Sequence, residues 1–184
     1  MAKPVRRVVT GLDTSGRSRV LSDGPSPHVM DGPTAAITEI WANAESPAAY
    51  DFKGDRAIFP MKHDPLPNGT ICRVLEMKPG VVIPADTPAE DLLALARVSF
   101  SNMQSDFEPT LETVKRHPSF HKTDSLDYLV ILSGRLTMLM DDDEEVTLEA
   151  GDVVVQQGVL HGWKVEGDEP VRMFAVLIDG QPAA

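Results

Sequence analysis

Cysteine is nearly absent from the chain. Cys72 stands alone, so no intrachain disulfide can form, and its thiol reads as a buried, inert one. The opening stretch MAKPVRRVVTGLD starts basic but lacks the apolar core of a secretory leader, and no apolar run approaches the length of a membrane span. A soluble cytoplasmic protein is the expectation. Positive charge is also scarce: 17 Lys+Arg against 28 Asp+Glu give a formal net charge of -11. Such a surface repels the phosphate backbone and anionic lipid, which argues against nucleic acid or a membrane as partner. The acidic run DDDEE, Asp141 to Glu145, lacks the alternating, glycine-kinked spacing of a calcium loop and reads as a solvated hairpin tip between two apolar runs.

What is present suits one domain: 184 residues, 42% of them hydrophobic, are enough to bury a core. No internal repeat is evident. Fifteen prolines and thirteen glycines punctuate short β-branched runs, the pattern of an all-β chain. VRRVVT and SRVLSDG form a predicted hairpin joined through GLDTSG, and TAAITEIW is a further strand expected at the periphery. The segment between Trp41 and Asn68 lacks sustained periodicity and reads as an irregular covering loop, after which GTICRVLEMKPG resumes as a strand. Residues 1–83 therefore form N-terminal strands and a covering loop, 84–116 an inserted helical segment, and 117–180 a barrel core of regularly spaced short strands.

The inserted segment carries one predicted helix. Thr87 is placed as N-cap, Pro88 as first helical residue and Glu90 three positions past the cap. Leu92, Leu95, Ala96 and Met103 share a face with Phe100 beside them, the pattern of a helix packed on a sheet; a lid is the alternative.

The stretch FHKTDSLDYLVILSG holds the chemistry. Side chains alternate along a strand, so His121, Thr123 and Asp127 can share a face that Leu129 and Ile131 continue, while Tyr128 points away. His161, in QQGVLHGW, follows a glycine-containing turn with Trp163 on its own face. Two imidazoles and a carboxylate are common ligands for divalent iron, manganese, nickel or zinc, and such a set leaves coordination positions open for a substrate. By spacing alone the constellation is weak evidence, since a lone histidine near an apolar run is more often a hydrogen-bonded structural residue. Arg73 on the GTICRVLEMKPG strand is either an inward anchor for a substrate carboxylate or an outward surface charge. His117 is a substrate contact or a solvated loop residue, and His28 and His63 have no partner that spacing identifies.

HKTDSLDYLVILSG together with AGDVVVQQGVLHGW resembles the two motifs of the cupin family, over about Glu112 to Asp179. His121 matches the first histidine of the first motif, Asp127 its acidic residue and Gly134 its closing glycine; Gly151, Gly158 and His161 match the second motif. Thr123 stands where the family has a second histidine, Asp127 replaces the longer glutamate, and Gln156 and Gln157 stand where a proline is usual. The resemblance implies a double-stranded β-helix, the cupin jelly-roll barrel, with N-terminal extra strands and one inserted helix. It also implies a metal site of His121, Asp127 and His161 inside the barrel, with Thr123, Arg73 and Trp163 toward a small-molecule substrate. The implied activity is that of a lyase, isomerase, decarboxylase or dioxygenase using one divalent ion. Two alternatives stay open: a metal-free dehydratase or isomerase using His and Asp as acid and base, and a ligand-binding or sensory cupin without turnover. A homodimer formed partly by the N-terminal strands is expected.

Overall fold

The computed structural model describes residues 2–51, 54–57, 60–79, 83–84 and 86–183. Parts of the expected covering loop, at 52–53 and 58–59, and the closing glycine of the GTICRVLEMKPG strand lie outside the described residues. Eleven strands are present among them: β1 (Arg6–Leu12), β2 (Ser18–Pro25), β3 (Val29–Asp31), β4 (Ala35–Asn43), β5 (Thr70–Met77), β6 (Ser125–Ser133), β7 (Arg135–Leu139), β8 (Glu145–Glu149), β9 (Val153–Gln157), β10 (Gly162–Glu166) and β11 (Val171–Asp179). Two α-helices, α1 (Ala89–Asn102) and α2 (Leu111–Arg116), lie between β5 and β6.

The strands form a six-stranded sheet in the order β3-β4-β5-β11-β6-β9, a three-stranded sheet β10-β7-β8, and a separate ribbon β1-β2. All pairings are antiparallel. Alternation sets which side chains enter the space between the sheets. From β11, Val171, Met173, Ala175 and Leu177 are buried, from β6 Leu129 and Ile131, and Leu136 and Leu148 meet them from β7 and β8. This apolar cluster joins the two sheets into a barrel and leaves Tyr128 on the outside, 43% exposed. β4 lies inside the larger sheet between β3 and β5, which corrects its expected peripheral place. Its pairing partner is distant in sequence, and local pattern carries no information about that.

Turn chemistry is legible where the backbone demands it. Gly134, between β6 and β7, has φ +81°, and a Cβ there would lie 2.9 Å from the Pro170 carbonyl oxygen, so no other residue fits without movement. DDDEE is a solvated hairpin tip, with Asp142 and Asp143 at φ 53° and 61°, a conformation that Asp tolerates better than most side chains.

The helical segment departs from its expected details. Pro88, not Thr87, occupies the N-cap of α1, and no side chain caps it. Proline's φ of -57° suits the first helical position, but ψ of 140° leaves this residue outside the helix. A capping box opens α2 instead: Thr110 accepts from the Thr113 N–H at 3.2 Å, and Thr113 Oγ1 accepts from the Thr110 N–H at 2.9 Å. Leu95 is 63% exposed rather than part of the packed face. The packed face consists of Ala96 and Phe100 against Val114 of α2, with Leu92, Leu93, Met103 and Phe107 around them. The helices thus bury each other and turn the Phe100 ring toward the barrel mouth. No described helix is long and apolar enough to cross a membrane.

This packing makes a direct comparison available. Phe100→Ala should cost about 3–5 kcal/mol in urea unfolding, the range for truncating a buried aromatic, whereas Leu95→Ala should change stability by less than about 0.5 kcal/mol. Equal losses would show that the helix packs on a different face.

Candidate active site

His121 and His161 sit just before β6 and β10, one at the mouth of each sheet. They form an isolated antiparallel bridge, exchanging backbone hydrogen bonds of 2.8 and 2.9 Å. The bridge brings the ring centroids to 4.3 Å. The Nδ1 of His121 lies 2.7 Å from the Ser119 carbonyl oxygen, and the Nδ1 of His161 lies 3.0 Å from that of Val159. A carbonyl only accepts, so each neutral ring carries its proton on Nδ1 and keeps a lone pair on Nε2. Burial, reinforced by His161 and His63, holds His121 well below the ordinary imidazole value. Burial also lowers His161 to about 4, against a smaller upward pull from the Val159 carbonyl.

Asp127 enters the same interior from β6, opposite Gln156 of β9. Gln156 Nε2 donates to Asp127 Oδ2 at 3.0 Å, while Asp127 Oδ1 and Gln156 Oε1 are buried with no hydrogen-bond partner. Burial raises the Asp127 carboxyl, opposed by the nearby Ser125 hydroxyl, the Gln156 hydrogen bond, His63 and Arg73. Thr123 is buried, and its hydroxyl is 2.7 Å from that of Ser125. The Trp163 and His161 ring centroids are 5.1 Å apart.

Arg73 faces the interior. It is 2% exposed and lies 3.1 Å from Glu39, its cross-strand neighbour on β4. It also donates to the carbonyls of Lys62 at 2.7 Å and His63 at 3.0 Å. Its Nε is buried without a partner. Burial pushes the Glu39 carboxyl up to about 7, although Arg73 opposes the shift. Glu39 is invisible to a motif search, since its role rests on one cross-strand register.

His63 is the site residue that sequence spacing could not connect. Its ring centroid is 5.1 Å from that of His121 and 6.1 Å from that of Phe100. Phe100 and Phe107 also border His121, at 5.5 and 6.4 Å. Phe107 lines an open cleft of about 420 Å³ with Lys62, Asp64, Asp106 and Lys122. His117 stands one step back: its Nδ1 is 2.7 Å from the Ser119 hydroxyl. His28 lies apart, 3.1 Å from Asp55. Cys72 is half-buried and its thiol is pushed up to about 11 chiefly by burial, which keeps it unreactive.

The donor chemistry of this interior fits a divalent metal ion. Two imidazoles have Nδ1 anchored to carbonyl oxygens and Nε2 free, the supporting arrangement that metal-binding histidines need, and the orphaned Asp127 Oδ1 is an anionic donor. Among the described residues, no three His, Cys, Asp or Glu side chains are already gathered around one point as a coordination set.

A two-sheet antiparallel barrel with buried imidazoles and a carboxylate at its mouth defines the class as a small β-barrel with a polar interior site. Residues 106–177 match the family model described as Cupin domain, so this part of the chain is similar to the cupin family. The chain is similar to the cupin-domain-containing oxidoreductase fogC of Aspergillus ruber, 28% identical over 95% of this chain and 72% of the relative. The cupin-domain-containing oxidoreductase virC of Hypocrea virens is 23% identical over 96% of this chain and 76% of its own length. Among solved structures, the cupin domain of Schizosaccharomyces pombe Cnp3 aligns over 95% of this chain and 87% of its own, with 13% identity and a TM-score of 0.44.

The ring chemistry predicts a spectroscopic result. In metal-free protein, nitrogen-15 NMR should show His121 and His161 as neutral Nδ1–H tautomers at pH 7, still neutral as the pH falls to about 5.5, well below the ordinary imidazole value near 6.5. Protonation of either ring near pH 6.5 would contradict the burial described.

Proposed function

We propose that the chain is a small-molecule metalloenzyme in which His121, His161 and Asp127 hold one divalent ion inside the barrel. The observation that carries this reading is the pair of buried imidazoles, each with Nδ1 facing a carbonyl oxygen and Nε2 turned away from any hydrogen bond. Bound there, a divalent ion would supply Lewis-acid or redox chemistry to a substrate oxygen. The protein's own part is positioning. Gln156 fixes one carboxylate oxygen of Asp127 and leaves the other free. Trp163, Phe100 and Phe107 give walls of low polarity around the imidazoles, against which a small organic substrate can stack and from which water is excluded. Thr123, turned to Ser125, leaves the position of the family's second histidine without a nitrogen donor.

Among lyase, isomerase, decarboxylase and dioxygenase chemistry, the names of the relatives fogC and virC favour oxidation. The metal-free acid–base reading has less support. A general base works best with a pKa near the working pH, and burial holds both site histidines far below it. Arg73 is committed to Glu39 and two backbone carbonyls, so it shapes the substrate space through its neighbours, with only Nε left to meet a ligand. The homodimer belongs to this proposal as well. The β1-β2 ribbon exposes Val8, Leu12, Val20 and Leu21, apolar surface that a second copy would cover. Light scattering should show a dimer that becomes monomeric when residues 1–24 are removed; a monomeric full chain would contradict it.

The metal reading is tested by elemental analysis and calorimetric titration of iron, manganese, nickel and zinc salts into metal-depleted protein at fixed pH, because ligation competes with protonation. One ion per chain is expected, with binding lost in His121→Ala and His161→Ala and weakened in Asp127→Asn. A folded protein that binds none of these ions would overturn it.

A further inference from the structure

The loop before β5 places one more imidazole beside the barrel mouth. His63 is fixed at almost every polar atom. Its N–H donates to the Met103 carbonyl at 2.8 Å, its carbonyl accepts from Arg73 at 3.0 Å, and its Nδ1 is 3.1 Å from the Ser105 hydroxyl. Asp64 Oδ2 lies 3.7 Å from the same Nδ1, and this carboxylate also accepts from the Asp106 N–H at 2.9 Å. The Asp64 carboxylate, an acceptor beside Nδ1, favours a proton there, which the Ser105 hydroxyl can also accept, and this leaves the lone pair on Nε2. Among the described residues, none hydrogen-bonds to Nε2 of His63.

The same arrangement therefore occurs three times: Nδ1 of His121, His161 and His63 each faces an oxygen, and each Nε2 is left over. The third ring arrives from a different part of the chain. Its ring centroid lies 5.1 Å from that of His121, with the planes tilted by 58°, while Thr123, the residue at the family's second-histidine position, spends its hydroxyl on Ser125. Ordering a loop histidine this thoroughly costs conformational entropy. Arg73, buried and paired to Glu39, is a heavy device for a covering loop with only a packing duty: it holds the carbonyls of both Lys62 and His63.

We propose that His63 supplies the third imidazole of the metal site, in place of the nitrogen that Thr123 does not provide, and that Arg73 and Ser105 are the residues that position it. This rests on the metal reading of His121 and His161. His63 comes from the loop, not from the strand that carries the family motif, so the ligand set is completed by the Arg73 anchor. Among the described residues no three of these donors are gathered around one point, so ligation by all three requires the His63 ring to turn toward the other two about its anchored backbone.

The test uses cobalt(II), which reports its ligands through its visible spectrum, titrated into the metal-depleted full chain with calorimetry in parallel. The variants are His63→Ala, Ser105→Ala, the double variant His63→Ala with Thr123→His, and His28→Ala as control. His63→Ala should weaken cobalt binding by at least about tenfold and change the visible spectrum, and Ser105→Ala should weaken it by up to about tenfold, as loss of a supporting partner does. The double variant should regain affinity over His63→Ala, and His28→Ala should match the wild type. Should His63→Ala fail to fold, His63→Gln, closer in size, serves the same comparison. If the wild type binds cobalt and His63→Ala matches it in affinity and spectrum, the inference is overturned while the metal reading stands. Weaker binding with an unchanged spectrum would make His63 a packing residue and overturns it too. A wild type that binds no cobalt overturns both.

Discussion

Two backbone hydrogen bonds between His121 and His161 fix the rest of the site. Each residue lies at the start of a strand in a different sheet, so the bridge closes the barrel mouth and at the same time sets the distance between two rings. Backbone groups in this position must be paired, and pairing them with each other leaves the side chains no choice but to face the interior together. The carbonyls two residues upstream, of Ser119 and Val159, then decide the tautomer. Local geometry thus leaves an Nε2 lone pair on each of two neighbouring rings.

A polar interior of this kind is costly unless its groups find partners. Most do. Arg73 meets Glu39 and two carbonyls, Asp127 meets Gln156, and Thr123 meets Ser125. Among the described residues, the buried side-chain atoms without a hydrogen bond include Asp127 Oδ1, Gln156 Oε1, Arg73 Nε and the oxygens of the ion-paired Glu39 in this interior, with Arg116 Nε and Arg172 Nε elsewhere. Glu39 shows how the conflict is moderated, since burial pushes its carboxyl up to about 7 even beside an arginine. A buried ion pair is weak support for stability, and position is the better reason for keeping one. Here the pair fixes the loop that carries His63. The apolar cluster between the sheets and the helix pair at the mouth supply the stability that the polar interior does not.

Much of this was legible in the sequence where information is local. Strand alternation placed Leu129 and Ile131 inside and Tyr128 outside, and the two motifs singled out His121 and His161, whose rings the fold sets side by side. Gly134 announced its turn because only glycine suits that backbone. What remained hidden depends on distant partners. β4 entered the middle of a sheet through pairing with β5. The helix face was misplaced at Leu95 because the short helix α2, whose six residues show no apolar period, determines which side of α1 is covered. His63 gave no signal since its partners, Arg73, Met103 and Ser105, lie on a strand and a helical segment that only the fold brings to it.

The central claim is that free imidazole nitrogens inside the barrel bind a divalent ion. X-ray absorption on protein loaded with one equivalent of zinc or nickel measures this directly, because imidazole rings give a characteristic outer-shell scattering pattern. The account predicts at least two imidazole ligands with metal–nitrogen distances of about 2.0–2.1 Å for zinc. A spectrum of oxygen ligands alone, with no imidazole scattering, would contradict it.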